Sequence, residues 1–114
     1  MAKAGKSARQ KGHSYELAVK KLHEDIGFTN VYTSRNESKR LDDAGVDLAG
    51  LPYHVQCKAV ERLSPTIHEI LSSMPQEGKI NAVFHKRNRK GTIVSISEKD
   101  WMDVLAFLKK NNYF

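Results

Sequence analysis

Asp47, Gln56 and Lys58 are the residues whose types and spacing could do chemistry. They stand in residues 45–62, GVDLAGLPYHVQCKAVER, a stretch that otherwise has the apolar spacing of two short strands, 45–49 and 54–60, around the tight connection GLPY. Side chains two apart on a strand share a face, so Gln56 and Lys58 point together and away from Val55, Cys57 and Ala59. With residues 50–53 as the connection, residue 49 pairs with 54 and Asp47 stands opposite Gln56. Burial of three such groups without partners is costly, and a solvated sheet edge would avoid the cost. A phosphodiester-cleaving site would instead use them. Carboxylate and amide oxygens suit a hard cation such as Mg2+, and a lysine beside them offsets charge developing on phosphorus.

The elements that must position these groups follow from periodicity. Tyr15, Ala18, Val19, Leu22 and Ile26 have helical spacing, and Gly27 is placed to end that helix in a left-handed turn. FTNVYTS should enter the sheet as a strand, whereas RNESKRLDDAG is charged, lacks periodicity and reads as a mobile loop. After the two strands of the opening stretch, Ser64 as cap and Pro65 at the first position begin a helix with a stripe of Ile67, Ile70, Leu71 and Met74. KINAVFHK and TIVSIS form a strand pair across a basic loop closed by Gly91. Ser97 with Asp100 starts a last helix whose Trp101, Val104, Leu105 and Leu108 should face the core. The expected fold is α/β, with a central mixed sheet packed by helices in the order α-β-β-β-α-β-β-α.

Size and charge bound the function. A chain of 114 residues suits one core. Residues 1–10 read as a flexible basic arm and 11–114 as a single domain. No apolar run approaches the roughly 18 residues of a membrane span, and no apolar segment follows the basic start, so a cytoplasmic location is expected. Cys57 is the single cysteine, which excludes an internal disulfide and any multi-cysteine zinc site, and it reads as a small core residue. The histidines are scattered, and His13 with Glu16 reads as a solvated helix pair, so no zinc is assigned. The net charge of +6 is concentrated in two places. Residues 1–11 (Lys3, Lys6, Arg9, Lys11) and HKRNRKG (Lys86, Arg87, Arg89, Lys90) together carry +8 with no acid, leaving −2 for the rest. Such clusters suit a polyanion such as nucleic acid. No aromatic pair is spaced along a strand in the manner of RNA-stacking platforms.

The spacing of an aspartate, about nine residues and then Q-x-K resembles the PD-(D/E)xK nuclease superfamily, and ARQKGHSYELAVKKLHEDIGF, with a helical glutamate after a basic Lys-Gly opening, is similar to the start of archaeal-type and phage Holliday junction resolvases of that superfamily. The resemblance covers residues 8–60 in motif and the whole chain in order of elements. It implies a small restriction-endonuclease-like domain that makes paired nicks in four-way DNA junctions as a homodimer, using Mg2+, for which Mn2+ substitutes, and leaving a 5′-phosphate and a 3′-hydroxyl. Carried over, it makes Glu16, Asp47, Gln56 and Lys58 catalytic, with Glu16, Asp47, Gln56 and the Cys57 backbone carbonyl as metal ligands. It also puts Ser34 near the scissile phosphate. The expected DNA contacts are Lys6, Arg9, Lys11, Ser34, Arg35, Lys39, Arg40, Lys86, Arg87, Arg89 and Lys90. Most members carry an acid where this chain has Gln56, although a Q-x-K variant also resembles the nuclease subunits of some transposases. Removing that charge weakens cation affinity in the free protein and lessens repulsion of the incoming phosphate. The alternatives are another nicking or transposition nuclease of the same fold, or a DNA-binding protein whose cleavage site is silent.

Overall fold

A computed structural model describes residues 7–114; Lys3, Lys6 and most of the expected basic arm lie outside the described residues. The first helix, α1 (Ala8–Asp25), begins earlier than the expected boundary at residue 11. Its start is a reciprocal capping box, in which the Ser7 side chain accepts the Gln10 N–H and the Gln10 side chain accepts the Ser7 N–H. Gly27, at φ +113°, ends it in the left-handed region as expected.

The buried stripe of α1 is rotated from its apolar spacing. Tyr15, Glu16, Val19 and His23 are buried, while Leu22 and Ile26 are exposed. Two polar residues take the inner positions because each finds partners there. The His23 Nδ1 meets the Val19 carbonyl at 2.8 Å and its Nε2 meets the Tyr53 hydroxyl, while Glu16 meets Arg35.

The sheet has five strands in chain order: β1 (Tyr32–Thr33), β2 (Leu48–Ala49), β3 (His54–Lys58), β4 (Asn81–Arg87) and β5 (Gly91–Ser95). All neighbours are antiparallel except β3 and β4, whose parallel pairing requires the crossover that carries α4 (Ile67–Ser73). The expected mixed sheet between helices is thus present, with the first two strands shorter than FTNVYTS and GVDLA suggested. Thr66, rather than Ser64, caps α4.

RNESKRLDDAG is not an irregular loop. It forms two short helices, α2 (Ser34–Glu37) and α3 (Lys39–Asp43), with the Ser38 hydroxyl capping α3 through the Leu41 N–H. Helices this short show no readable period, and it is side-chain capping and tertiary contact that hold them.

The core divides across the sheet. Tyr15 and Val19 of α1 pack with Val31, Leu48, Leu51, Val55 and Cys57 on one face. Ile70 and Met74 of α4 pack with Val83 on the other. The last helix, α5 (Glu98–Lys110), is capped by Ser97 as expected, but none of its residues is buried. Trp101 is 47% exposed, and Val104, Leu105 and Leu108 are only half-buried. No helix among the described residues is long and apolar enough to cross a membrane.

Candidate functional site

The site forms where α1, the first residues of α2, the entry to β2 and the end of β3 meet. Its centre is Asp47, which lies one residue before β2. The register pairs Leu48 with Val55, yet the Asp47 N–H donates to that same Val55 carbonyl at 2.7 Å. Two residues on one strand therefore oppose one on its partner, the arrangement of a β-bulge, which re-aims the side chain of the extra residue. The simple pairing of Asp47 with Gln56 is replaced as a consequence. The Asp47 Oδ2 accepts the Cys57 N–H at 2.7 Å, and the Asp47 carbonyl accepts the Ser34 N–H at 2.9 Å.

The Asp47 carboxyl is pushed up from the ordinary carboxylate range to about 6. Burial is the main cause; the Cys57 amide bond and Lys58 act in the opposite direction, and the negative charges of Glu16 and Asp42 add to the rise. Asp47 is therefore the group that feels both Glu16, on the helix packed against one face of the sheet, and Lys58, from the other face. Gln56 and Lys58 do share a face, in register with Val83 and His85.

Gln56 reaches this neighbourhood by a different route. A Cβ at Gly45 would lie 3.4 Å from the Gln56 Oε1, so the amide packs against the turn that leads into Asp47. Gly45 has φ +80°, where glycine alone is unstrained, and its missing side chain leaves room for that amide. The Gln56 Oε1 is buried with no hydrogen-bond partner among the described residues, as are the Ser34 Oγ and the His13 Nδ1. Orphaned buried acceptors are rare and point to a missing donor, water or ion.

Glu16 is buried and fully engaged. Arg35 donates from Nε to Oε1 at 2.8 Å and from its terminal nitrogen to Oε2 at 2.6 Å, a two-pronged ion pair that pushes the guanidinium pKa up. The His13 Nδ1 stands 3.7 Å from Oε1. This differs from the expected disposition, in which Glu16 is a metal ligand and Arg35 a DNA contact. In this state each neutralises the other.

Among the described residues no group of three His, Cys, Asp or Glu side chains converges to hold a metal. The oxygens that remain, on Asp47 and the orphaned Gln56 amide, are of the type that a hard cation such as Mg2+ accepts. The Glu16 oxygens are both taken by Arg35 and are not among them. Cys57 is buried and free, and burial pushes its thiol up, as suits a core residue rather than a nucleophile.

The expected DNA contacts fall into groups. Arg9 and Arg35 line one hollow with Gln10, His13 and Asn36, beside Glu16. Lys11 and Lys86 line a separate pocket on the other side of Tyr15. Arg87, Arg89 and Lys90 are exposed on the β4–β5 hairpin, whose tight reversal holds Arg89 at φ +63° and Gly91 at +86°. Lys39 is paired with Asp43 at 2.9 Å on the α3 surface, and Arg40 is exposed beside it. Ser34 is fully buried, with its hydroxyl turned toward no partner.

The cavity that Tyr15 lines with Lys11 and Lys86 had no signal in the sequence. The partnership of Glu16 with Arg35 had none either, because they stand nineteen positions apart in different helices with β1 between. No protein-family model matches the chain, and no curated protein or solved structure shows a detectable similarity to it.

Proposed function

We propose that the protein is a metal-dependent DNA endonuclease of the restriction-endonuclease-like type, acting on branched DNA as a Holliday junction resolvase. The observation that supports this reading is the half-buried carboxylate of Asp47, turned by a bulge to lie under the influence of Glu16 and Lys58. A half-buried acid with a raised pKa is poorly stabilised by its own fold, as is the orphaned Gln56 amide oxygen, and a cation with a phosphate would relieve that condition.

When bound, Mg2+ or Mn2+ supplies Lewis-acid polarisation of the phosphate and a water of lowered pKa. Asp47 and Gln56 would hold the cation, with the Cys57 carbonyl as a further oxygen. Lys58 then orients the attacking water and offsets charge on the phosphorus. Arg35 is suited to exchange the Glu16 carboxylate for a DNA phosphate, since both accept its planar fork. The exposed cations of the β4–β5 hairpin would position the backbone without reading sequence. Paired nicks require a two-fold dimer. The apolar side chains exposed on β5 and α5, among them Ile93, Val94, Trp101 and Phe107, are the surface offered to a second copy.

The test is an end-labelled immobile four-way junction and a matched linear duplex, each incubated with Mg2+ or EDTA. Symmetric, Mg2+-dependent nicks in the junction, absent with Asp47→Asn, support the reading. Nicks in the duplex as well would favour another nicking or transposition nuclease of the same fold.

One observation favours a second reading. With Glu16 neutralised by Arg35 and an amide at residue 56, the chain also suits a DNA-binding protein with a silent site, which would bind the junction and leave it intact with or without Mg2+.

A further inference from the structure

The pocket on the far side of Tyr15 is separate from the Asp47 site. About 160 Å³ in volume, it is lined by Lys11, Ser14 and Tyr15 of α1, Ala59 after β3, Lys86 near the end of β4 and Asn88 in the following turn. Tyr15 is 6% exposed, and its hydroxyl is buried with no hydrogen-bond partner among the described residues. A buried phenol usually finds an acceptor, and leaving it without one is costly. Burial pushes its pKa up to about 12, so it carries its proton at neutral pH and can only gain by donating it to an acceptor.

The other groups make the missing acceptor an anion. Lys11 and Lys86 come from distant parts of the sequence to one cavity, and among the described residues neither is held in an ion pair. Ser14 and Asn88 add a hydroxyl and an amide as further donors. The carboxylate of Glu61, from the segment after β3, accepts the Asn88 N–H at 2.8 Å and fixes the turn without lining the cavity. Two cations and three residues that carry uncharged donors line this small volume, a set that suits an oxyanion such as phosphate.

We propose that this pocket seats one phosphate group of a nucleic-acid backbone, anchoring the strand on the same helix that carries Glu16. The source of the phosphate rests on the nuclease reading; the anion chemistry does not. Tyr15 and Glu16 are consecutive, so a strand held here is presented to the neighbouring Asp47 site in a defined register.

The experiment is done throughout in EDTA, so that its result is independent of cleavage. Inorganic phosphate is titrated into the isotope-labelled full chain while backbone amides are followed by NMR. Saturable shifts are expected at Tyr15, Ala59 and Asn88, with affinity weakened at least about fivefold by Tyr15→Phe, which keeps the ring, and by Lys86→Gln, which is on the surface. Shifts that do not saturate, or that neither substitution changes, would overturn the proposal.

The second arm measures binding of duplex and four-way junction as a function of salt. Lys86→Gln should lower the slope of log K against log salt by about 0.9, the value for one phosphate contact, and Tyr15→Phe should weaken binding at unchanged slope. Phosphate binding accompanied by unaltered DNA affinity in both variants would identify free phosphate as the ligand and refute the backbone as its source. Failure of the junction to be nicked with Mg2+ would count against the nuclease reading alone.

Discussion

The two ends of the sheet break the usual rule of burial in opposite senses. At the β1–β3 end, charged and polar groups lie inside: Glu16 is 4% exposed, Ser34 is fully buried, and Asp47 is held under desolvation strong enough to move its pKa by about two units. At the β5 end, apolar groups lie outside, with Ile93, Val94, Trp101, Met102 and Phe107 each about half exposed or more. The first end has charges that the fold pairs only in part, and the second has hydrophobic surface that the fold does not cover. Buried charge lacking full compensation suits a charged ligand, while exposed apolar side chains suit a protein surface. A ligand role at one end and an assembly role at the other would be tested separately.

The comparison breaks most decisively at Asp47. Asp47→Asn should reduce Mg2+-dependent nicking of a four-way junction by on the order of 10³-fold or more, the scale of losing a group that stabilises transition-state charge, with DNA binding retained. Equal cleavage by both proteins would show that Asp47 has no catalytic part.

The same substitution should stabilise the metal-free protein. The folded pKa of about 6 lies above the unfolded value near 4, so this group favours the folded state fully below pH 4, and that contribution is lost as pH rises through 6. At pH 8 in EDTA, Asp47→Asn should then gain up to about 3 kcal/mol in denaturant unfolding, with no gain at pH 4. A pH-independent effect would mean that Asp47 is compensated in the fold.

Breaking the ion pair should act oppositely. Arg35→Ala leaves the Glu16 carboxylate buried alone and should cost about 2–3 kcal/mol, less than a fully buried pair because the guanidinium is 26% exposed. If unfolding is unchanged, the pair is not part of the free protein in solution. A smaller loss, about 1–2 kcal/mol, is expected for Gly45→Ala, from the strained φ and the tight approach to Gln56.

At the other end, Trp101→Ser with Phe107→Ser should change the stability of the monomer by less than about 0.5 kcal/mol per site, as neither is buried. If α5 is an assembly surface, sedimentation should show a dimer in the parent protein and a monomer in the double variant. A large loss of monomer stability would mean instead that α5 packs on its own sheet more tightly than its exposure indicates.

The order of long elements was legible in the sequence, since it rests on local periodicity and on signals such as Gly27 and Ser97 that act within one turn of chain. Boundaries were legible only where a cap was unique; between Ser64 and Thr66 the sequence offers two hydroxyls, and the helix uses the second. The small helices α2 and α3 were not legible, because four or five residues carry no period and their stability comes from the contacts they make. On α1, apolar spacing pointed to Leu22 and Ile26, while burial selected Glu16 and His23, whose partners come from elsewhere in the chain.

By itself, then, the sequence determined an α/β chain with a helix at each end, the alternation that sends Gln56 and Lys58 to one face, and the two clusters of positive charge. These are properties of residues near one another along the chain. Only the tertiary structure decided that a bulge turns Asp47 onto the Cys57 amide, that Arg35 closes over Glu16, and that Tyr15 faces a cavity between two distant lysines. Each of those depends on desolvation and on partners that the folded backbone brings together, and neither quantity exists until the chain has folded.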